Sequence, residues 1–172
     1  YNKTNISGIP GNGQIFNADG VSINQNGGQF SEFFLIPYAG VNPATGNLLF
    51  VAADGSLTET PSIDTDRRAT GKTLNPIYQG GFGFDADYKG FFVSTTFTYA
   101  MDVWRMDYDL ESLYNPGNIG QFVASPDLLN AWTAANPTNF PSLDATNQNF
   151  SMDSDRFLND ASFLRLRSVS LG

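Results

Sequence analysis

The sequence contains no cysteine and no histidine. Without cysteine it has no disulfide framework, no zinc–thiolate site and no cysteine nucleophile. Without histidine it lacks a Ser-His-Asp triad and the ligand on which most transition-metal sites depend. We therefore predict that the protein is not an enzyme, with no catalytic residue, no metal ligand and no cofactor. One enzymatic alternative stays open, a glycosidase that works with two facing carboxylates.

Charged residues are also scarce, at 15% of the sequence, and acidic residues outnumber basic ones by 17 to 9, which gives a net charge of −8. Nucleic-acid binding needs a basic face that displaces counterions from phosphates. The composition therefore predicts no nucleic-acid partner. A run of about 18 apolar residues is missing too, which excludes a transmembrane helix, whereas a transmembrane β-strand needs only about ten alternating residues.

Aromatic residues and turn formers are abundant in the sequence. It has 15 Phe and 7 Tyr in 172 residues, together with 17 Gly and 9 Pro. Aromatic side chains pack well on a pleated surface, and glycine and proline favour turns. We therefore predict an all-β fold with long loops.

The clearest periodic pattern lies in residues 75–104. From residue 91 to residue 104 the chain alternates between apolar and small polar side chains, and residues 75–86 alternate in the same way. The segment between them, 87–90, has the composition of a tight turn. The pattern predicts a long antiparallel hairpin with one apolar face, which carries Tyr78, Phe82, Phe84, Phe91, Val93, Phe97 and Tyr99.

Two architectures fit this hairpin. In a soluble secreted β-sandwich, for example one that binds carbohydrate, the apolar face points inward. In an outer-membrane barrel the apolar face points to lipid and the polar face to a lumen. The second strand, of about 14 residues, is longer than the usual 5–6. Aromatic residues near both of its ends, such as Tyr88 and Trp104, are typical of interfacial girdles. Both features favour the barrel.

The rest of the chain is rich in loops. Residues 30–59 predict a short hairpin, whose arms at 33–41 and 47–55 are joined by the turn NPATG. A helical segment is predicted within 125–137, where Ser125 can cap the N-terminus. Loops of this length are unusual inside a compact soluble domain but normal on the outside of a barrel.

Some loop residues have a composition that suits binding. Acidic pairs of the form D-x-D can offer oxygens to Ca²⁺ or simply form turns; they are Asp64 with Asp66, Asp85 with Asp87, Asp107 with Asp109, and Asp153 with Asp155. The loop aromatics Tyr108, Tyr114 and Trp132 can contact a ligand or a partner protein, or they can pack the loops internally.

Four stretches, in order along the chain, resemble the SusC/RagA branch of the TonB-dependent outer-membrane transporters of Bacteroidota. They are YAGVNPATGNLLFVAADG (38–55), GKTLNPIYQGGFGFDADYKGFFVSTTFTY (71–99), LLNAWTAANPTNFPS (128–142) and SDRFLNDASFLRLRSVSLG (154–172). The third departs from the family pattern at Ala131, Ala134 and Ser142.

The resemblance implies an all-β fold, an antiparallel transmembrane β-barrel segment with about four strands of a 22-stranded barrel, from the C-terminal part of that barrel and without the plug domain. Residues 1–5 are expected to end one strand, 6–74 to form an extracellular loop, 75–104 a transmembrane hairpin, 105–158 a second extracellular loop, and 159–172 a transmembrane strand. Within that last strand Leu164 and Leu166 alternate out of phase with Val169 and Leu171, so only the latter two are expected to face lipid.

The resemblance also implies a function and partners. Members of the family are multi-pass proteins of the Gram-negative outer membrane that import oligosaccharides or peptides. The expected partners are a SusD-like surface lipoprotein, the TonB–ExbB–ExbD complex acting through the plug, outer-membrane lipid, and the glycan or peptide substrate.

Overall fold

The computed structural model describes residues 1–146, 148–151 and 153–172. The all-β prediction is confirmed, since this part of the chain forms mostly antiparallel strands and only two short α-helices. The strands are β1 (Gln14–Phe16), β2 (Ser22–Gln25), β3 (Glu32–Leu35), β4 (Tyr38–Val41), β5 (Leu48–Val51), β6 (Leu57–Thr58), β7 (Arg68–Thr73), β8 (Tyr78–Tyr88), β9 (Phe91–Met101), β10 (Trp104–Met106), β11 (Leu158–Asp160) and β12 (Phe163–Leu171).

The helices are short: α1 (Ile63–Asp66) and α2 (Tyr108–Leu113), with 3₁₀ turns at Pro116–Asn118, Pro126–Asn130, Gln148–Ser151 and Asp155–Phe157. Ser125 caps the second of these turns by accepting a hydrogen bond from the Asp127 N–H, but the turn is shorter than the helical segment predicted in 125–137. Within the described residues, no helix combines the length and the apolar composition needed to cross a membrane.

Strands β8 and β9 form the predicted long hairpin. They pair without a register shift from Tyr78 opposite Met101 to Tyr88 opposite Phe91. The two turn residues, Lys89 and Gly90, have φ angles of 51° and 88°. Positive φ at both positions is the backbone of a type I′ turn, whose twist matches that of the flanking strands.

The second strand of the hairpin is shorter than predicted. It ends at Met101 because Asp102 takes a left-handed conformation, with φ of 54°. The chain then enters β10, which pairs with β11 in a separate sheet. Trp104, which the sequence suggested as a girdle residue near the end of this strand, therefore packs on an interior cluster with Val21 and Leu158.

Strand β12 pairs with the free edge of β9 and contains a β-bulge. Leu166 lies opposite Phe97, and the next paired residue is Ser168, opposite Thr96, so Arg167 is the extra residue. A one-residue insertion inverts the alternation beyond it. The bulge therefore brings the two halves of β12 into phase, and Leu164, Leu166, Val169 and Leu171 all lie on the side of the sheet that carries Phe97. The expectation that only Val169 and Leu171 share that side was wrong.

Residues 1–5 form no strand, so three strands and not about four make up this sheet. The segment nevertheless lies beside β8. The Asn2 N–H donates a hydrogen bond of 2.7 Å to the Ile77 carbonyl, and the rings of Tyr1 and Tyr78 are 5.2 Å apart.

The two segments expected to be loops fold into small sheets of their own. One sheet has the order β1–β2–β3–β7 and another the order β4–β5–β6. The predicted hairpin at 33–41 and 47–55 is formed by β4 and β5, but β3, at the start of its first arm, belongs to the other sheet. Strand β7 also lies in the segment 6–74, which was expected to be a loop.

The glycines within β8 differ in how much space the neighbouring strand β9 leaves for a side chain. A Cβ atom at Gly83 would overlap the Thr95 carbonyl oxygen, whereas at Gly80 it would meet the flexible end of the Tyr99 side chain at 3.1 Å. We expect Gly83→Ala to destabilise the hairpin by about 1–3 kcal/mol, the typical cost of overpacking. Gly80→Ala carries the same backbone change and is the matched control. Equal losses of folded protein in urea titrations of the two variants would contradict the prediction.

Candidate functional site

The three-stranded sheet β8–β9–β12 has an apolar face that is exposed. Phe82 and Phe97 stack at its centre, with ring centroids 5.0 Å apart and an interplanar angle of 13°. Phe82 is 52% exposed, and at the turn end Phe91 and Leu171 are 76% and 74% exposed. A contiguous apolar patch of this kind marks contact with a partner, a ligand or lipid. The sequence pattern placed Phe82 and Phe91 on the same face of the hairpin, and the pairing of β8 with β9 agrees.

The opposite face of the same sheet is mostly polar, although it also carries Phe92 near the turn and Phe163 at the other end. It carries small hydroxyl side chains along β9 and β12, which belong to Ser94, Thr96, Thr98, Ser168 and Ser170. Arg165 lies on this face too, and its guanidinium carbon stands 4.4 Å from the centre of the Phe163 ring. The sheet therefore has one apolar face and one mainly polar face.

The dimensions of the sheet suit a bilayer. Strands β8 and β9 have 11 residues each and β12 has 9, which matches the roughly 9–11 residues of a transmembrane strand. Among the described residues, β8 and β12 each pair on one side only. Free strand edges are unfavourable in lipid unless a further strand pairs with them.

The two expected loops interlock into one body. The Ile36 N–H donates to the Asp153 carbonyl at 2.8 Å, and the Asp155 N–H donates to the Ile36 carbonyl at 3.1 Å. The Asp155 carboxylate also accepts a hydrogen bond of 2.7 Å from the Tyr38 N–H. Hydrogen bonds around the start of the SDRF motif thus connect the second loop to the first.

Trp132 joins the loops at a second point. Its indole Nε1–H donates a hydrogen bond of 3.0 Å to the Pro43 carbonyl, and its ring packs on the cluster formed by Ile36, Val41, Leu48 and Phe50. Gly46, in the turn between β4 and β5, lies directly under the ring. Of the two roles open for this residue from the sequence, the structure shows internal packing.

The two loop tyrosines differ in their surroundings. Tyr114 is held by ring contacts with Phe140 and Phe157, at 5.0 and 6.0 Å, and its hydroxyl donates to Asp127 at 2.8 Å. This hydrogen bond raises the pKa of the Tyr114 hydroxyl, with burial adding to the effect. Tyr108, at the start of α2, is 46% exposed, so it is the more accessible of the two for a ligand or partner.

Several carboxylates in the loops stabilise turns and helix ends by accepting hydrogen bonds from backbone N–H groups. Asp66 accepts hydrogen bonds from the N–H groups of Ser62 and Ala53, which lower the pKa of its carboxyl. Asp107 caps α2 by accepting from the Leu110 N–H. Asp155 holds Tyr38 as described above. Three of the four D-x-D pairs therefore contain a residue with a structural role.

Glu59 organises the turn between β4 and β5. Hydrogen bonds from the Thr45 hydroxyl and from the side-chain amides of Asn47 and Asn42 lower the pKa of the Glu59 carboxyl. In the described part of the chain no three acidic residues come together in a group that can hold a metal ion.

Comparison with solved structures identifies the architecture. The RagAB peptide transporter matches over 92% of this chain, with a TM-score of 0.79 and 28% sequence identity. Its closed-closed state matches over 92%, with a TM-score of 0.80 and 30% identity, and its open-open state over 96%, with a TM-score of 0.82 and 28% identity. The expected resemblance to the SusC/RagA family is confirmed.

The chain spans 18% of the length of the RagAB chains that it matches. A scan against protein-family models and a search of curated proteins find no match. The likeness to RagAB includes the loop body as well as the three-stranded sheet, because 92–96% of this chain is covered.

Proposed function

We propose that this chain forms part of the barrel wall and two external loops of an outer-membrane active transporter that imports peptides. The observation that carries the proposal is the sheet β8–β9–β12, which exposes an apolar face and a polar face at bilayer-spanning length. Such a sheet is typical of a transmembrane barrel, in which apolar side chains point toward lipid and polar ones toward the lumen.

The turn and loop lengths set the proposed orientation. Outer-membrane barrels have short periplasmic turns and long external loops. The two-residue turn at Lys89–Gly90 then faces the periplasm, and the body built from residues 6–74 and 105–158 lies outside the cell. Tyr88 and Phe91 flank the turn, where they form part of an aromatic girdle at the inner interface.

The proposed lipid contacts are the apolar side chains of the exposed face. They include the residues expected from the sequence, Tyr78, Phe82, Phe84, Phe91, Val93, Phe97, Tyr99, Val169 and Leu171. The bulge at Arg167 adds Leu164 and Leu166, which are 57% and 54% exposed.

Between the two substrate classes that the family implies, we favour peptides over oligosaccharides. The matched structures are of a peptide transporter. In addition, the loop aromatics that suit sugar stacking are engaged, since Trp132 packs on the β4–β5 hairpin and Tyr114 packs between Phe140 and Phe157. Tyr108 stays a candidate contact for substrate or partner.

The proposed partners are those of the family. A SusD-like lipoprotein is proposed to cover the external loop body, in line with the two-component name of the RagAB transporter. Energy is proposed to come from the TonB–ExbB–ExbD complex through a plug domain, in the outer membrane of a Gram-negative bacterium of the Bacteroidota type.

Uptake by cells tests this function. In a strain that lacks the gene for the full-length protein, we expect the uptake of labelled oligopeptides to fall at least about tenfold, and the uptake of labelled oligosaccharides to be unchanged. Complementation with the gene is the control and restores uptake. If only oligosaccharide uptake is lost, the substrate class is wrong, and if both are retained the assignment as an importer fails.

A further inference from the structure

A cavity of about 400 Å³ lies between α2 and the two 3₁₀ turns at Gln148–Ser151 and Asp155–Phe157. The residues around it combine a cation, a carboxylate and two side-chain amides: Arg156, Glu111, Asn115 and Gln148. Ligand sites for small molecules have volumes of about 300–1,000 Å³. The cavity is therefore large enough for one or two residues of a peptide.

The Arg156 guanidinium is held in a fixed orientation at this cavity. Its carbon lies 4.8 Å from the centre of the Phe157 ring and 5.6 Å from that of Tyr38. Its Nη1–H donates a hydrogen bond of 3.0 Å to the Ser151 hydroxyl. Because contacts with two rings and one hydrogen bond restrict the planar group, little side-chain entropy is left to lose when a ligand binds.

No carboxylate in the described part of the chain forms an ion pair with the Arg156 guanidinium, although Glu111, at the same cavity, interacts with it electrostatically at longer range. Within residues 1–146, 148–151 and 153–172 the one side-chain hydrogen bond of the guanidinium goes to a neutral hydroxyl. A guanidinium has five N–H donors, and its fork fits a carboxylate with two parallel hydrogen bonds. Since charges that are largely removed from water are normally paired, the geometry indicates an anionic ligand.

We propose that this cavity binds a side-chain carboxylate of the imported peptide, with Arg156 as its recognition residue. The inference rests on the proposed peptide import and specifies which peptides are preferred. Glu111 lines the same cavity and repels a second negative charge, so that ligands with one acidic group are favoured over polyanions. The Asn115 side-chain oxygen accepts from the Gly117 N–H, which leaves its NH₂ group to donate to the carboxylate.

Binding to the purified full-length transporter in detergent tests the proposal. The probes are two labelled peptides with amidated C-termini that differ only at one central residue, glutamate or glutamine. We expect wild type to bind the glutamate peptide more tightly, and Arg156→Gln to lower its affinity for that peptide about 10- to 30-fold with little change for the glutamine peptide. Arg105→Gln, which removes an exposed arginine on β10, is the matched control and retains the preference.

A second variant acts in the opposite direction and covers the case in which Arg156→Gln does not fold. Glu111→Gln removes the competing carboxylate and is expected to tighten binding of the glutamate peptide several-fold while leaving the glutamine peptide unaffected. The carboxylate site is overturned if both variants keep the wild-type preference for the glutamate peptide over the glutamine peptide. If Arg156→Gln is not recovered, an unchanged preference in Glu111→Gln alone has the same meaning. If wild type binds both peptides equally, the carboxylate site is also overturned, whereas binding of neither peptide overturns the proposed peptide transport itself.

Discussion

Replacing Phe82 with arginine is expected to remove most of the folded full-length transporter from the outer membrane. Phe82 lies near the middle of β8, on the exposed apolar face, and stacks on Phe97. A lipid-facing arginine at the bilayer midplane costs about 2–4 kcal/mol. Loss of the ring pair adds about 0.5–1.5 kcal/mol. Together these costs are a large part of the free energy of folding of a typical protein.

Thr96→Arg provides the matched control. Thr96 is exposed on β9 and pairs with Gly83, one position along β8 from Phe82, but on the polar face. There an arginine points to the water-filled lumen and is expected to leave the amount of folded protein close to that of wild type. The measurement is the fraction of heat-modifiable, folded barrel in outer-membrane extracts. Equal losses for the two variants would show that the apolar face does not contact lipid.

The hairpin β8–β9 was predictable from the sequence because its structure is local. Alternation with a period of two fixes which residues share a face, and a two-residue turn with a glycine fixes the register. In the structure the residues of β8 and β9 that were predicted to share the apolar face do lie on one face, with Phe82 opposite Phe97. The end of β9 was not predictable, since it depends on the left-handed conformation of Asp102 and on the pairing of Trp104 with Asp160.

Strand β12 shows the opposite case. The alternation of its leucines and Val169 predicts two half-strands whose apolar side chains point to opposite faces. The sequence contains no signal that distinguishes a β-bulge from a true change of face. The bulge at Arg167 is stabilised by pairing with β9 on both sides of it, from Phe163 opposite Ala100 to Leu171 opposite Val93. Such a tertiary cause cannot be read from the local pattern.

The loop body was the least predictable part. Strands β1, β2 and β7 lack clear periodicity because each is only three to six residues long and is stabilised by remote partners. The contact of Tyr38 with Asp155 spans 117 positions. The Arg156 cavity depends on the same long-range packing, so neither its volume nor the set of residues around Arg156 was evident from the motif SDRF.

The two loops are expected to separate when Trp132 is replaced with alanine. Removing a large aromatic side chain from a fully buried site costs about 3–5 kcal/mol, and removing that of Trp132, which is half-buried, is expected to cost a smaller share of this. The Pro43 carbonyl also loses its hydrogen-bond donor. Since Gly46 has a φ of 76° and lies against the indole, the turn beneath has no side chain with which to fill the space. Hydrogen exchange in the full-length protein is expected to accelerate in residues 42–47 and 133–142.

Phe122→Ala is the control for the loss of an aromatic ring from the same loop. Its side chain is 72% exposed, and changes at such surface positions are usually within about 0.5 kcal/mol. Trp132→Phe separates the two contributions, because it keeps most of the ring contact and loses the hydrogen bond to Pro43. It is expected to produce a smaller acceleration than Trp132→Ala. Unchanged exchange in Trp132→Ala would mean that the backbone hydrogen bonds between Ile36 and residues 153–155 suffice to hold the two loops together without the Trp132 ring.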